Sequence, residues 1–120
     1  MQANLKYAFN AKSVAVIGAS RNPGKIGYVV LENFVKGNFK GKIFPINPEA
    51  KEILQVKCFA SISKVPHEVE LAVVCVPAAF VPKVIVECGQ KKVKAVIIIS
   101  AGFHEVGNEE LTQQLQSAMD

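Results

Sequence analysis

The sequence has no long apolar run, and this absence limits the class of protein. Its longest apolar stretches, such as residues 95–99, are far shorter than the roughly 18 residues that a membrane-spanning helix requires. The N-terminus also lacks the basic-then-apolar pattern of a secretory signal. We therefore expect a soluble, cytoplasmic protein with no membrane partner. Half of its 120 residues are hydrophobic, which is enough for the core of one domain spanning residues 1–120.

Cysteine and histidine are scarce as well. Cys58, Cys75 and Cys88 form an odd set without a Cys-x-x-Cys pair, and two of them lie in apolar segments. This pattern indicates reduced cysteines that pack in the interior. His67 and His104 are far apart in the sequence and show no ligand spacing, so we expect no metal site.

Sequence motifs of hydrolysis and of ATP binding are missing too. Ser20 and Ser100 lie near glycines, but neither stands in a Gly-x-Ser-x-Gly elbow. Lys25 is followed by Ile26, whereas a P-loop would place serine or threonine there. We therefore expect no catalytic residue in this chain.

Charge is distributed unevenly along the chain. Residues 1–57 carry nine of the fourteen lysines and arginines against three glutamates, and the remainder is slightly acidic. This asymmetry favours an anionic ligand on the N-terminal half, although a lysine-rich solvated surface explains the charge equally well. Nucleic acid is a weaker candidate, because the basic residues are scattered and no aromatic residues are interleaved with them.

Strand-like and helix-like segments alternate along the chain. Short apolar runs rich in β-branched residues each end at glycine, asparagine or proline, and segments of helical periodicity follow them. Residues 49–65 have the pattern of irregular chain with one or two helical turns. The predicted strands are 13–18, 42–47, 71–76 and 93–99, and the predicted helices are 26–36, 79–91 and a weaker one at 108–119. In the second helix Phe80, Val81, Val84, Ile85 and Cys88 share one face.

This alternation predicts an α/β fold with a doubly wound parallel sheet between two helical layers. With strands numbered along the chain, the predicted order is 3-2-1-4, joined by right-handed crossovers. The nearly continuous apolar fourth strand is typical of a sheet covered on both faces. Because the chain stops on a helix, we expect a truncation before a fifth strand.

Four loops are predicted to meet at the carboxyl edge of the sheet, where such folds bind ligands. They are residues 18–27, 47–51, 76–80 and 100–102. The first contains three glycines together with Ser20, Arg21 and Lys25, and is a candidate phosphate cradle that opens into a helix. An ordinary turn that needs glycine for its geometry is the alternative. The spacing is not Gly-x-Gly-x-x-Gly, and the second strand ends in Asn47 and Pro48 without an acidic residue, which disfavours NAD.

Five segments together resemble a known family. They are Ser-Val-Ala-Val-Ile-Gly-Ala-Ser (13–20), Pro-Gly-Lys-Ile-Gly (23–27), Pro-Ile-Asn-Pro (45–48), Val-Pro-Ala-Ala-Phe (76–80) and Ile-Ser-Ala-Gly-Phe (99–103). The chain resembles the Rossmann-like CoA-binding domain of ADP-forming acyl-CoA synthetases, relatives of the succinyl-CoA synthetase alpha subunit. The resemblance implies coenzyme A as ligand, held by Gly18, Ala19, Ser20, Arg21, Pro23, Gly24, Lys25, Gly27, Asn47, Pro48, Lys51, Val76, Pro77, Phe80, Ser100, Ala101 and Gly102.

The family resemblance also implies a role for each group of residues. The loop at 20–25 and the start of the next helix would hold the CoA phosphates, and Gly24 would lie where the backbone approaches one of them. Asn47, Pro48 and Lys51 would border the nucleotide half of CoA. Val76, Pro77 and Phe80 would form an apolar wall, with residues 100–102 turning beneath the pantetheine arm.

In that family the reaction converts acyl-CoA, ADP and phosphate into acid, CoA and ATP through an acyl phosphate and a phosphohistidine. The family's phosphohistidine belongs to a further domain, and its nucleotide site to an ATP-grasp domain or subunit; these are the partners that the resemblance implies. We expect the chain to be a fragment that does not catalyse alone. A stand-alone CoA-binding protein, the CoA domain of a fused acetyltransferase and, less favoured, an NAD(P)-binding oxidoreductase domain stay as alternatives. The acyl substrate, the nucleotide preference and the oligomeric state are left open by the sequence.

Overall fold

The computed structural model describes residues 10–37 and 39–99. Its centre is a parallel sheet of four strands: β1 (Ser13–Ile17), β2 (Lys42–Ile46), β5 (Leu71–Val74) and β6 (Ala95–Ile98). The strands lie in the order β2-β1-β5-β6, so that β1 and β5 are the two inner strands. Their side chains are fully buried, in keeping with their unbroken apolar sequences.

Each face of this sheet is covered by one of the two helices in the described residues. Helix α1 (Ile26–Lys36) packs Val30, Leu31 and Phe34 against Val14 and Val16 of β1. On the opposite face, helix α2 (Val81–Lys91) contributes Val84 and Cys88 to the second half of the core. The predicted α/β class, with a parallel sheet between two helical layers, is therefore confirmed.

The predicted strand order 3-2-1-4 is wrong at its third strand. The segment expected beside β2 is β5, which instead pairs with the other side of β1, Val14 lying opposite Leu71. The position of Pro45 agrees with the observed order. Pro45 has no N–H to donate from the outer side of β2, so a long partner strand on that side would lose a ladder hydrogen bond.

A much shorter segment occupies the outer side of β2. The N–H of Phe59 donates to the Pro45 carbonyl, the N–H of Asn47 donates to the Phe59 carbonyl, and both distances are 2.9 Å. Phe59 thereby makes a parallel bridge to Ile46. Neither hydrogen bond of this bridge requires a donor on Pro45. The outer side of β2 is therefore paired at this one point without a full partner strand.

For residues 49–65 the sequence predicts irregular chain with one or two helical turns. A short 3-10 turn is present at Ile62–Lys64, but a hairpin that the sequence does not predict precedes it. Strands β3 (Glu52–Ile53) and β4 (Val56–Lys57) are antiparallel. The two residues between them, Leu54 and Gln55, have φ of 52° and 66°. Such left-handed turns normally carry glycine or asparagine, so Leu54 and Gln55 do not indicate a hairpin.

The last strand is less covered than its sequence predicts. Val96 and Ile98 of β6 are 38% and 43% exposed, because β6 is the outermost strand of the described sheet. Two residues expected to share one face with the buried positions of α2 are exposed too: Phe80 belongs to a separate 3-10 turn, Ala78–Phe80, and Ile85 lies on the flank of the helix. The predicted helix at 108–119 lies outside the described residues. Among those residues, neither helix is long and apolar enough to cross a membrane.

All three cysteines are buried and free. Burial raises the pKa of each thiol, and it raises the pKa of Cys75 to about 12. The raised pKa keeps each thiol protonated at neutral pH. Because the thiolate is the reactive form of cysteine, these residues are unreactive there. Their predicted role as reduced packing residues is confirmed.

Glu70 ties together the amino ends of β1, β5 and β6. Its carboxylate accepts a hydrogen bond of 2.8 Å from the backbone N–H of Lys12 and lies 3.6 Å from the Lys94 ammonium. The hydrogen bond from Lys12, together with the Lys94 charge and against some desolvation, lowers the pKa of Glu70 below its ordinary 4.5. A carboxyl with a lowered pKa stabilises the folded state above its unfolded-state pKa, and this contribution disappears as the pH falls through its folded-state pKa.

We predict that Glu70→Gln lowers the free energy of unfolding at neutral pH, and that the difference from wild type shrinks as the pH falls below 4.5. Urea unfolding at a series of pH values measures this. Glu68→Gln is the matched control, because it removes a nearby charge without removing the contact to Lys12. If the difference in unfolding free energy between Glu70→Gln and wild type stayed constant with pH, the ionised carboxylate of Glu70 would contribute nothing to stability.

Candidate functional site

The strand order reverses between β1 and β5, whose carboxyl ends lie side by side. The chain leaves β1 toward the face covered by α1, and leaves β5 toward the face covered by α2. Because the loops that follow the two adjacent strands diverge, a crevice opens between them. The loops 18–27, 47–51 and 76–80 lie at this edge, as predicted from the sequence. Residues Ser100, Ala101 and Gly102, and also His104, lie outside the described residues.

Gly18 and Gly27 fix the geometry of the first loop. Gly18 has φ of +92°, and a Cβ added there would lie 2.4 Å from the Cys75 carbonyl oxygen. A Cβ on Gly27 would lie 1.9 Å from the Gly18 carbonyl oxygen. Both positions therefore require glycine. The consequence is that the first turn of α1 lies directly against the end of β1.

The loop between these glycines is held by hydrogen bonds of its own. The hydroxyl of Ser20 accepts from the N–H of Asn22 (3.0 Å), and the Asn22 side-chain oxygen accepts from the N–H of Gly24 (2.9 Å). The N–H of Lys25 then donates to the Asn22 carbonyl at 3.0 Å. Asn22 was not among the predicted site residues, although Asn-Pro-Gly is a recognisable turn sequence. The loop is thus shaped before any ligand arrives.

The N-terminus of α1 carries partial positive charge that no side chain of its own cap or first turn neutralises. Its cap position, Lys25, makes no side-chain capping bond, and the first turn has no acidic residue. Within the described residues, the N–H groups of Ile26 and Gly27 have no hydrogen-bond acceptor. Free N–H groups at a helix N-terminus attract anions. Arg21 and Lys25, both exposed, add two formal positive charges to the same loop.

Asn47 connects the first loop to the second. Its side-chain nitrogen donates to the Ala19 carbonyl at 2.9 Å, and its side-chain oxygen accepts from the N–H groups of Glu49 and Ala50 at 2.7 and 3.0 Å. Its backbone N–H is bonded to Phe59. The structure therefore uses Asn47 to hold protein segments together, and the ligand border that the resemblance implies stays a prediction.

The second loop also carries exposed residues at the same edge. Pro48 and Lys51 are both exposed. The carbonyl of Lys51 accepts from the N–H of Cys58, which anchors the start of the β3–β4 hairpin. Burial raises the pKa of Cys58, the positive charge of Arg21 opposes this, and the negative charge of Glu52 adds to it. The second loop carries charge of both signs, since it contains Glu49 as well as Lys51.

The third loop supplies an apolar surface. Val76 is half-buried, and its side chain would lie 3.1 Å from a Cβ at Gly18. Pro77 is exposed and its carbonyl accepts from the N–H of Phe80, closing the 3-10 turn. Phe80 is 57% exposed, an unusual position for a phenylalanine in a domain of this size. One wall of the crevice is therefore apolar.

His67 lies away from this arrangement. It is exposed, precedes β5, and stacks on the ring of Phe44 with centroids 5.6 Å apart. In residues 10–37 and 39–99, no three histidine, cysteine or acidic side chains are grouped so that they could hold a metal ion. The chemistry available at the edge is accordingly the binding of an anion beside an apolar surface.

Comparisons with known proteins agree with this geometry. Residues 12–119 match the family described as CoA binding domain. The acetate–CoA ligase (ADP-forming) of Methanocaldococcus jannaschii is 50% identical over 112 residues, which cover 93% of this chain and 16% of that protein. The alpha subunit of acetate–CoA ligase (ADP-forming) I from Pyrococcus furiosus is 50% identical over 118 residues, covering 93% of this chain and 26% of the subunit.

A solved structure shows the same fold. The acetyl-coenzyme A synthetase 1 of Ca. Korarchaeum cryptofilum, solved in complex with phosphate and ADP, matches with a TM-score of 0.76 and 45% identity, over 98% of this chain and 25% of its own. The chain thus spans about a sixth to a quarter of the relatives that it matches. Since the family match covers nearly all of the sequence, and its glycine-shaped edge suits a ligand of phosphates and an apolar arm, this chain belongs to the CoA-binding domain family and is homologous to the CoA-binding region of ADP-forming acetyl-CoA synthetases.

Proposed function

We propose that this chain binds coenzyme A at the carboxyl edge of its sheet, with the phosphates at the N-terminus of α1. The observation that carries the proposal is the uncapped helix start beside Arg21 and Lys25. Two N–H groups without acceptors and two nearby cations suit a diphosphate better than a neutral ligand. The match to the CoA binding domain family supports the same ligand.

The three loops suit three parts of CoA. The diphosphate would accept from the N–H groups of Ile26 and Gly27 and pair with Arg21 and Lys25. The adenosine half would extend toward the exposed residues Pro48 and Lys51 of the second loop. The pantetheine arm would follow the apolar wall that includes Phe80. Residues 100–102 stay a predicted part of this site.

We place this binding function within an ADP-forming acyl-CoA synthetase, whose other parts would supply catalysis. In this assignment CoA is a substrate of the parent reaction, and the present domain holds it so that its thiol reaches the reacting acyl group. The relatives act on acetate by name, and in one of them the matching region belongs to an alpha subunit. The partners would be the remaining domains of the same enzyme, fused or in a separate subunit.

The alternative of NAD binding is opposed by Asn47. A dinucleotide site usually places a carboxylate at the end of the second strand to bind the ribose hydroxyls. Here that place holds an amide, and three of the four hydrogen bonds that the amide can make go to the protein itself. No observation in the described residues favours NAD over CoA.

We predict that CoA binds this chain at least about tenfold more tightly than NAD does, because CoA carries a 3′-phosphate that NAD lacks, and a charge-assisted contact to that phosphate would add about 1.5 kcal/mol or more. Isothermal titration calorimetry with each ligand measures the ratio. Affinity for CoA should fall as salt is added, since exposed cations at the site are screened. Equal or tighter binding of NAD would contradict the proposed function.

A further inference from the structure

Asn47 occupies a junction of three segments that the site depends on. Its side chain bonds to Ala19 in the loop after β1 and to the backbone of Glu49 and Ala50 after β2, and its backbone bonds to Phe59. The bond to Ala19 joins residues 28 positions apart in the chain. Side-chain hydrogen bonds between distant loops fix the position of one loop relative to the other.

Ala19, whose carbonyl accepts this bond, lies at the start of the loop that precedes α1. Ala19 is buried, and the next residue, Ser20, begins the series of hydrogen bonds through Asn22 to Gly24 and Lys25. That series ends at the first turn of α1, where the N–H groups without acceptors lie. The position of Ala19 therefore sets the position of the whole loop.

We infer that Asn47 is a positioning residue for the phosphate-binding loop, acting through the Ala19 carbonyl and the loop that follows it. This inference rests on the proposed function, because it assigns a role within the CoA site. An amide suits the position better than a carboxylate, since it donates to one carbonyl while accepting from two N–H groups. A carboxylate would face the Ala19 carbonyl with an acceptor and would repel the phosphates.

Asn47→Ser separates the two functions of this side chain. A serine hydroxyl can still accept from the N–H groups that follow β2, but it is too short to reach the Ala19 carbonyl. The matched control is Asn33→Ser in α1. Asn33 also donates from its side chain to a backbone carbonyl at 2.9 Å, that of Val29, but within the helix and away from the loop.

The experiment compares two ligands, CoA and inorganic pyrophosphate, which lacks the adenosine and pantetheine parts. Titration followed by backbone amide NMR gives both dissociation constants for wild type, Asn47→Ser and Asn33→Ser, at a temperature where all three are folded. We expect Asn47→Ser to lower the affinity for both ligands by the same factor, about tenfold, and Asn33→Ser to leave both affinities unchanged. Amide hydrogen exchange at Asn22 and Gly24 without ligand should accelerate in Asn47→Ser alone.

The outcomes separate the possible errors. Loss of CoA affinity with unchanged pyrophosphate affinity would mean that Asn47 contacts the nucleoside part directly, and would overturn the inference. Unchanged affinity for both ligands, with loss of stability only, would overturn it as well. A wild-type chain that binds neither ligand contradicts the proposed function, in which case faster exchange at Asn22 and Gly24 would still establish the role of Asn47 in ordering the loop.

Discussion

Replacing Gly27 with alanine is expected to lower the free energy of unfolding by about 3 kcal/mol or more, since forced overpacking in a tight interior costs of this order. The added Cβ would lie 1.9 Å from the Gly18 carbonyl oxygen and 2.9 Å from its carbonyl carbon. Both atoms belong to the backbone and cannot rotate away. The helix must therefore move off the end of β1, which breaks its packing through Val30 and Leu31.

Gly24→Ala is the matched control for this substitution. The nearest atom to a Cβ at Gly24 is the Asn22 side-chain oxygen at 3.4 Å, and Gly24 does not have a positive φ. We expect its unfolding free energy to stay within about 0.5 kcal/mol of wild type, as for most surface substitutions. Urea denaturation of both variants gives the comparison. A Gly27→Ala protein as stable as Gly24→Ala would show that α1 can shift from β1 at little cost.

Removing the two cations of the first loop should have the largest effect on ligand affinity. We expect the double variant Arg21→Ala/Lys25→Ala to bind CoA about 100-fold more weakly, because each charge-assisted contact to a phosphate contributes about 1.5 kcal/mol or more. The dependence of affinity on salt should become shallower, since fewer charged contacts remain to be screened. Calorimetric titration at several salt concentrations measures both effects.

The control for this experiment is Lys36→Ala/Lys92→Ala. It removes two exposed lysines from the carboxyl-terminal ends of α1 and α2, far along the chain from the loop at 20–25. The net charge falls equally in both double variants. A general loss of electrostatic attraction to the anionic ligand would therefore lower the affinity for CoA equally in both. Equal weakening, or an unchanged salt dependence in Arg21→Ala/Lys25→Ala, would show that these two side chains make no specific phosphate contact.

Much of the site could be anticipated because its determinants are local. A loop rich in glycine between a buried strand and an amphipathic helix is readable from composition and periodicity, and α1 begins and ends where the pattern placed it, at Ile26 and Lys36. That the loops lie at one edge follows from the parallel sheet. What the pattern could not assign was the partner of each polar group. The resemblance places Asn47 beside the ligand, and only the fold shows that the Ala19 carbonyl also lies within reach of its amide.

The sequence by itself determined the fold class, the buried character of the cysteines and the edge of the sheet at which the loops 18–27, 47–51 and 76–80 lie, because each depends on the spacing of residues close together in the chain. Tertiary structure alone decided the order of the strands, the hairpin at β3 and β4, and the necessity of Gly18 and Gly27. These depend on which distant atoms come into contact: the Cys75 carbonyl beneath Gly18, the Gly18 carbonyl beneath Gly27, and Phe59 beside Pro45. A chain pattern indicates which segments contribute to the core, whereas only packing decides which of their side chains are buried and against what.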